Sequence, residues 1–218
     1  SYILRRTVCG LTTKGYNRTF LKLLKALGSE TEDIPGELRS GLAALSGDSS
    51  VWPTDAAFSD AWLSRKAYDL KTQRVAHILR SLSNAHMTKL SEKIQIESPL
   101  TVEHLLPQSW TANWPLPNGE QGMSELAAIG ADEDDERATA SLQRYSLLHT
   151  FGNLTILTQE LNSSVSNAKW TTKKPALLQA SLLPINQQLH KYDTWDEEAI
   201  IARGKSLLEK ALELWPRP

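Results

Sequence analysis

The chain has 218 residues, of which 40% are hydrophobic and 22% are charged, an ordinary composition for a soluble globular protein with a real core. Its formal net charge of −1 weighs against a strong stand-alone nucleic-acid binder, although a local basic strip remains compatible with it. The single cysteine, Cys9, excludes an internal disulfide and a cysteine-rich zinc site. No run approaches the roughly 18 apolar residues of a membrane span, and no secretory signal pattern is present, so we expect a cytoplasmic protein. Because the chain starts at Ser1 and not at Met, we expect a piece of a longer protein.

Helical patterns separated by turns fill the first hundred residues. Apolar spacing predicts helices over residues 16–27, 31–45, 55–68 and 69–90. Gly28 ends the first of these, and Thr31 and Asp55 are the predicted N-caps of the second and third.

The pattern changes near Ile94. Short apolar segments predict strands at 100–106 and 154–157, separated by a proline-rich loop at 107–121 and by residues 122–148, which look helical at both ends around an acidic run. Helical patterns resume at Gln159, are broken at Pro175 and Pro184, and close with an amphipathic helix over residues 195–215. The chain is therefore predicted to be α+β and mostly α, with one strand–insertion–strand–helix unit at residues 99–174.

Glu103 and His104 lie side by side at the end of the first predicted strand. Side chains alternate across a strand, so the two point to opposite sides unless the strand ends there. An imidazole is the usual base near neutral pH, and a carboxylate is a hard oxygen ligand for Mg²⁺. Asn162 offers an uncharged oxygen ligand, and Asn153 could hold the loop after His104 through side-chain to backbone hydrogen bonds. Together these residues suggest metal-assisted phosphodiester hydrolysis.

A second group of candidates follows if residues 160–174 form one helix. Spacings of four, three and four then place Asn162, Ser166, Lys169 and Lys173 on one face, with a ligand, a hydroxyl and two cations toward a phosphate.

Each feature also has a simpler explanation. A Glu-His pair occurs by chance in many proteins, Gly-Asn before a strand is first of all a turn, and the serine-rich segment could be a polar loop. The basic face could be an ordinary solvated surface. Only their joint order and spacing favour catalysis.

A family resemblance supports that joint interpretation. Residues 102–110 (VEHLLPQSW) resemble the acidic-His-Ile-x-Pro-Gln-Ser segment of HNH nucleases, also called ββα-metal or His-Me finger nucleases. Asn153 and Asn162, nine residues apart, resemble the two later positions of that motif. His149 and residues 152–163 are similar to the C-terminal nuclease domain of GmrSD-type modification-dependent restriction enzymes and of SspE-like antiphage proteins. Flanking segments extend the resemblance over nearly the whole chain: Arg5-Arg6, residues 52–58 and residues 195–203.

The resemblance implies a ββα-metal (HNH) unit embedded in a helical domain. It implies a helical scaffold at residues 1–95, a nuclease core at 96–175 with an insertion at 107–148, and a C-terminal helical region at 176–218 that packs on the same domain. DNA is the implied substrate, a bacterial antiphage or restriction system the implied setting, and an N-terminal NTP-dependent, ParB-like domain the implied partner. Since no Gly-rich phosphate loop is present, we expect this chain alone not to hydrolyse nucleotides.

The resemblance also implies roles for individual residues. His104 matches the general base, Asn153 the orienting Asn and Asn162 a metal ligand. Glu103 matches the acidic ligand position, where many HNH nucleases have Asp. His149 matches a family His that could bind phosphate, contribute to the metal site or brace the loop.

Phosphate contacts are implied for Lys173, which matches a basic position after the helix, and are expected for Lys169 and Ser166 on the same predicted face. An Asn at the third motif position favours one Mg²⁺ or Mn²⁺ ion over Zn²⁺. Trp110 and Trp114 are expected to pack in the core or a loop more often than to stack on bases.

The predicted function is that of a metal-dependent DNA endonuclease or nickase. Two alternatives remain open: an RNase of the same superfamily, and a non-catalytic DNA-binding or interaction module with a relic HNH motif.

Overall fold

The computed structural model describes residues 1–27, 32–89 and 96–218. The predicted helix stop at Gly28, the predicted cap at Thr31 and the change of pattern at Ile94 lie outside these residues. The chain divides into two compact units, residues 1–62 with 211–218 and residues 63–210. Among the described helices, none has both the length and the apolar character needed to cross a membrane.

The described residues are mostly helical, with two short strands. The helices, in chain order, are α1 (Tyr2–Val8), α2 (Tyr16–Ala26), α3 (Ile34–Ala43), α4 (Asp55–Ser64), α5 (Thr72–Ala85), α6 (Glu125–Ile129), α7 (Glu136–Leu148), α8 (Gln159–Val165), α9 (Trp170–Ala180), α10 (Pro184–Gln187) and α11 (Glu197–Leu214). Single 3₁₀ turns occur at Ala67–Asp69, Trp110–Ala112, Phe151–Asn153 and Gln188–Lys191. The predicted fold class, α+β and mostly α, is confirmed.

Two helix starts differ from the predictions. The helix expected from Thr31 begins at Ile34, because the carboxylate of Asp33 accepts the Gly36 backbone N–H at 3.0 Å. Asp55 is already inside α4, where the Thr54 hydroxyl oxygen accepts the Ala57 N–H at 3.2 Å. In both cases an oxygen-bearing side chain one or two residues from the predicted position serves as the cap.

The tandem arginines of α1 are structural. In the first unit, Arg5 is buried, donates to the Trp215 carbonyl at 2.6 Å and pairs with Asp55 at 2.6 Å. Arg6 is also buried and donates to the carbonyls of Val51 at 2.6 Å and Thr12 at 2.7 Å. The backbone carbonyls thus satisfy guanidinium groups that would otherwise be buried without partners.

The two strands of the second unit pair antiparallel. Strand β1 (Leu100–His104) and strand β2 (Leu154–Thr158) align with Leu100 opposite Thr158 and His104 opposite Leu154. Helix α8 begins at the residue after β2. The predicted order of strand, insertion, strand and helix is therefore present, and the end of β1 lies beside the start of β2.

A hydrophobic core lies within the second unit. It joins residues of the insertion, of β2 and of α11, and Leu105, Leu106, Trp110, Leu157 and Leu177 are fully buried in it. Trp110 and Trp114 both belong to this core, as expected for packing residues. The residues that follow His104 are thus anchored by apolar packing.

A buried ion pair ties the insertion to α11. The guanidinium of Arg144 on α7 donates to the Glu197 carboxylate, with the Nη2 to Oε2 distance at 3.3 Å. Its Nη1 donates to the carbonyls of Trp114 at 2.9 Å and Pro115 at 3.0 Å. The proline-rich loop therefore has a fixed path although it lacks regular structure.

Gly152 marks the closest approach between α11 and the segment before β2. A Cβ atom there would lie 2.2 Å from the Ile200 carbonyl oxygen and 3.2 Å from the Gly204 Cα. Arg203 on the same helix is buried, and its Nη1 donates to the carbonyls of Gly152 and Leu154, each at 2.8 Å. This contact fixes the backbone on both sides of Asn153.

Gly152→Ala should lower the free energy of unfolding by about 2 kcal/mol or more, because backbone atoms on both sides must move to admit the methyl group. Urea unfolding followed by circular dichroism measures this change. The matched control is Gly130→Ala, where the nearest atom, the Leu126 carbonyl oxygen, would lie 3.6 Å from the new Cβ, and we expect a change below about 1 kcal/mol. Equal stability of both variants would contradict the close approach.

Candidate active site

The last two residues of β1 face opposite sides of the strand pair. Val102 and His104 are buried on one side, whereas the Glu103 side chain is 15% exposed on the other. This is the alternation predicted for adjacent strand residues. The candidate base and the candidate carboxylate ligand therefore share a backbone but have different surroundings.

His104 lies in a small cluster of aromatic and polar side chains. Its Nε2 is 2.9 Å from Nδ1 of His149, and its Nδ1 is 3.4 Å from Nε2 of Gln108. The Tyr68 ring centroid lies 4.8 Å from the His104 ring centroid and 5.5 Å from that of His149. The imidazole is therefore held from three directions.

These contacts assign a tautomer to His104. The side-chain nitrogen of Gln108 can only donate, so Nδ1 of His104 accepts, and Nε2 then carries the proton. That N–H donates to Nδ1 of His149, whose own proton is on Nε2. Nδ1 of His104 carries no proton in this tautomer, so Nδ1 is the basic atom of the ring.

The surroundings keep His104 uncharged. Burial is the main cause, and His149 and Lys173 add to it, so that the pKa of His104 falls from 6.5 to about 3. Burial, followed by the nearby Lys66, also lowers the pKa of His149. Both rings are therefore neutral near pH 7.

Asn153 holds the chain that follows His104. Its Oδ1 accepts from the Leu106 backbone N–H at 2.7 Å and from the Trp195 indole N–H at 3.0 Å. Its Nδ2 donates to the carbonyls of Leu106 and Leu148, each at 2.9 Å. All four hydrogen-bonding positions of the buried amide are satisfied. The side-chain to backbone bonds predicted for this residue are present.

Glu103 is paired with Lys173 of α9. The Lys173 ammonium is enclosed and donates to Glu103 Oε1 and to the His104 carbonyl, each at 2.7 Å. Burial lowers the pKa of Lys173, and the Glu103 carboxylate opposes that shift. One ammonium thus fixes both the candidate ligand and the backbone of the candidate base. This role differs from the predicted phosphate contact of Lys173.

Asn162 lies on the Glu103 side of β1. Its Nδ2 donates to Oγ1 of Thr101 at 3.1 Å, and Thr101 is two residues before Glu103, on the same face of the strand. Because the amide nitrogen makes this bond, the amide oxygen is the atom that could face a cation. Asn162 on α8 and Glu103 on β1 are therefore the residues that could hold a metal ion here.

These donors suit a hard divalent cation. One carboxylate and one amide oxygen, completed by water, match the way Mg²⁺ is usually bound, with few protein ligands. Among the described residues, no three His, Cys, Asp or Glu side chains cluster closely enough to form a metal site.

The predicted basic face is wrong in its geometry, because residues 160–174 are not one helix. Helix α8 ends at Val165, and Ser166 has a positive φ of 24°. The hydroxyls of Ser163 and Ser164 donate to carbonyls of the same short helix, a pattern that competes with helix continuation. Helix α9 starts at Trp170, so Ser166 and Lys169 do not share a helical face with Asn162.

The prediction that a helix is broken at Pro175 is also wrong, because Pro175 lies inside α9. Pro184 instead starts α10, where its fixed φ suits a first helical position.

Sequence reasoning missed several residues of this site. Gln108 is part of the quoted motif and could have been considered, since it follows His104 by four residues. Trp195 begins one of the segments of the resemblance, but its contact with Asn153 could not be predicted. Tyr68 and Thr101 carry no local signal, because only the folded chain brings them to the site.

The lowered pKa of His104 should make the free energy of unfolding depend on pH in the absence of divalent cations. Between its folded pKa of about 3 and the ordinary histidine pKa of 6.5, the unfolded chain binds a proton that the folded chain does not. This stabilising contribution is complete above pH 6.5 and is lost progressively as the pH falls towards 3. As the pH is lowered from 6 to 4.5, the free energy of unfolding of the wild type should therefore decrease. This decrease should be steeper than that of His104→Asn by about 1 kcal/mol per pH unit.

Urea unfolding at several pH values in EDTA measures both slopes. The exposed His190 provides the control, and His190→Asn should keep the wild-type slope. Parallel curves for the wild type and His104→Asn would show that His104 is not kept neutral by the fold.

Comparison with known proteins gives one match. No curated protein and no solved structure shows significant similarity to the chain. The sequence matches the family of GmrSD restriction endonucleases, C-terminal domain, over residues 52–210. That range covers most of the chain and contains both strands, α8 and all the residues of the site described above. The chain therefore belongs to the family of GmrSD restriction endonuclease C-terminal domains.

Proposed function

We propose that the chain is a metal-dependent DNA endonuclease or nickase that acts in a cytoplasmic restriction or antiphage system. Membership of a restriction endonuclease family supports nuclease activity in general. The observation that carries the finer proposal is the arrangement at the end of β1. A neutral His104 follows Glu103 in β1 and faces the other side of the strand, and Asn162 lies on the Glu103 face.

His104 acts as the general base in this proposal. Its Nδ1 takes a proton from a water molecule, whose oxygen attacks the phosphorus. The 3.4 Å contact of Nδ1 with Gln108 is at the weak end of hydrogen bonding, so the water can replace it. As the phosphorus–oxygen bond to the 3′ oxygen breaks, that oxygen takes a proton from solvent.

His149 orients the base and supports its charged form. The His104 Nε2–H donates to His149 Nδ1, so the ring keeps the tautomer that exposes Nδ1. When His104 gains the proton, this bond becomes charge-assisted and therefore stronger. We propose this bracing role for His149 in place of direct phosphate or metal binding.

Glu103 and Asn162 hold one Mg²⁺ or Mn²⁺ ion in this proposal. A bound ion supplies Lewis-acid stabilisation of the charge that develops on the phosphate oxygens and on the leaving oxygen. Lys173 keeps the Glu103 carboxylate in position from the opposite, enclosed side. The same ammonium anchors the His104 carbonyl, so ligand and base keep their relative placement.

A partner domain belongs to the proposal. The family resemblance supports an NTP-dependent, ParB-like domain that precedes this one and regulates cleavage. The chain itself is proposed to cleave DNA without nucleotide hydrolysis.

Plasmid nicking tests the proposed activity directly. With Mg²⁺ or Mn²⁺ the wild-type chain should convert supercoiled DNA to the nicked form, and EDTA should stop this conversion. His104→Ala and Asn162→Ala should each lower the rate by about 100-fold or more, since a positioned base typically contributes at least that factor. The exposed His190→Ala variant serves as the matched control and should keep the wild-type rate.

Activity that survives both site substitutions would remove these residues from the mechanism. Preferential cleavage of RNA in a parallel assay would support the RNase alternative. Retention of DNA without any metal-dependent cleavage would support a non-catalytic module.

A further inference from the structure

A polar cavity lies between the insertion and the start of α9. Its volume is about 300 Å³, and its lining includes Thr111, Asn113, Gln121 and Lys169. These side chains offer one hydroxyl, two amides and one ammonium, a set that suits a polar, negatively charged ligand. None of these groups is used by the mechanism proposed for His104.

The charges around this cavity favour an anion. Within residues 1–27, 32–89 and 96–218, no carboxylate pairs with the exposed Lys169 ammonium. Arg137 places a second cation next to the cavity, because its Nε donates to the carbonyl of the lining residue Gln121 at 2.6 Å. The neighbouring acid, Glu120, is held by the Asn118 amide at 2.9 Å.

The cavity also lies close to the candidate active site. The Lys173 N–H donates to the Lys169 carbonyl at 2.8 Å, so the two lysines are one helical turn apart, a rise of about 6 Å. Lys173 contacts both Glu103 and the His104 carbonyl. Phosphates along one DNA strand follow each other about every 3.4 Å of helix axis. The cavity therefore lies within a few nucleotides of the candidate active site.

We propose that this cavity binds the substrate DNA strand within a few nucleotides of the scissile bond. Lys169 pairs with a backbone phosphate, and the amides of Asn113 and Gln121 donate hydrogen bonds to the same nucleotide. This inference rests on the proposed nuclease function, and it assigns the substrate-positioning site that the function requires. The phosphate contact predicted for Lys169 is thus part of this proposal. Lys169 would make it together with residues of the insertion, and not from a helical face shared with Asn162.

Binding of fluorescent DNA oligonucleotides, measured by anisotropy, tests the cavity independently of cleavage. With His104→Ala as the background, addition of Lys169→Met should weaken binding about tenfold at low salt. It should also reduce the slope of log affinity against log salt by about 0.7 to 0.9, the loss of one phosphate contact. Gln121→Ala should weaken binding severalfold without changing the salt slope, because it removes no charge.

Lys174→Met is the matched control, since Lys174 lies on the same helix and pairs with Asp193 at 3.1 Å. It should bind DNA like the parent. With His104 intact, Lys169→Met should raise KM for cleavage and leave kcat nearly unchanged.

Indistinguishable affinities and salt slopes for Lys169→Met and Lys174→Met would overturn the proposal. Tighter, Lys169-dependent binding of RNA than of DNA would overturn the choice of DNA as the ligand. If the wild type binds DNA through Lys169 but does not cleave it, the cavity assignment stands and the proposed catalytic function fails.

Discussion

One buried amide determines where the chain runs after the candidate base. Asn153 bonds both backbone groups of Leu106, the Leu148 carbonyl and the Trp195 indole. These partners belong to the loop after β1, the end of α7 and the segment before α11, so one side chain joins three parts of the second unit. An unsatisfied buried amide group costs about 1–3 kcal/mol, and the four bonds therefore strongly favour this one arrangement. The direction of His104 depends on it.

The backbone on either side of Asn153 is held equally tightly. Gly152 lets α11 approach without a side chain between them, and Arg203 binds the carbonyls of Gly152 and Leu154. His149, at the end of α7, then lies within hydrogen-bonding distance of His104. Apolar packing, together with the hydrogen bonds that Asn153, Arg203 and Lys173 make to the backbone, thus places the base.

Electrostatics separate the two sides of β1. On one side, burial keeps His104 neutral, with an available lone pair but a low affinity for protons. On the other side, Lys173 neutralises the charge of Glu103 and holds its carboxylate in place. A cation at Glu103 would lie close to this ammonium, so water or a substrate phosphate must help to balance the local positive charge. This balance explains why metal and DNA are expected to bind together.

The sequence predicted features with strong local patterns and missed those that depend on distant contacts. Short apolar runs predicted both strands, and apolar spacing predicted α2, α5 and α11. The break between α8 and α9 was missed because helical spacing alone does not reveal serines that bond their own backbone. The Lys173–Glu103 pair spans 70 positions, and its geometry arises only after α9 packs against β1.

The proposed mechanism depends most on one catalytic cation that Glu103 and Asn162 would bind. Electron paramagnetic resonance of Mn²⁺, titrated into the chain with an uncleavable phosphorothioate DNA, tests this claim without relying on turnover. We expect one tightly bound Mn²⁺ per wild-type chain and at least about tenfold weaker binding in both Glu103→Gln and Asn162→Ala. Unchanged Mn²⁺ affinity in the double variant would contradict this expectation.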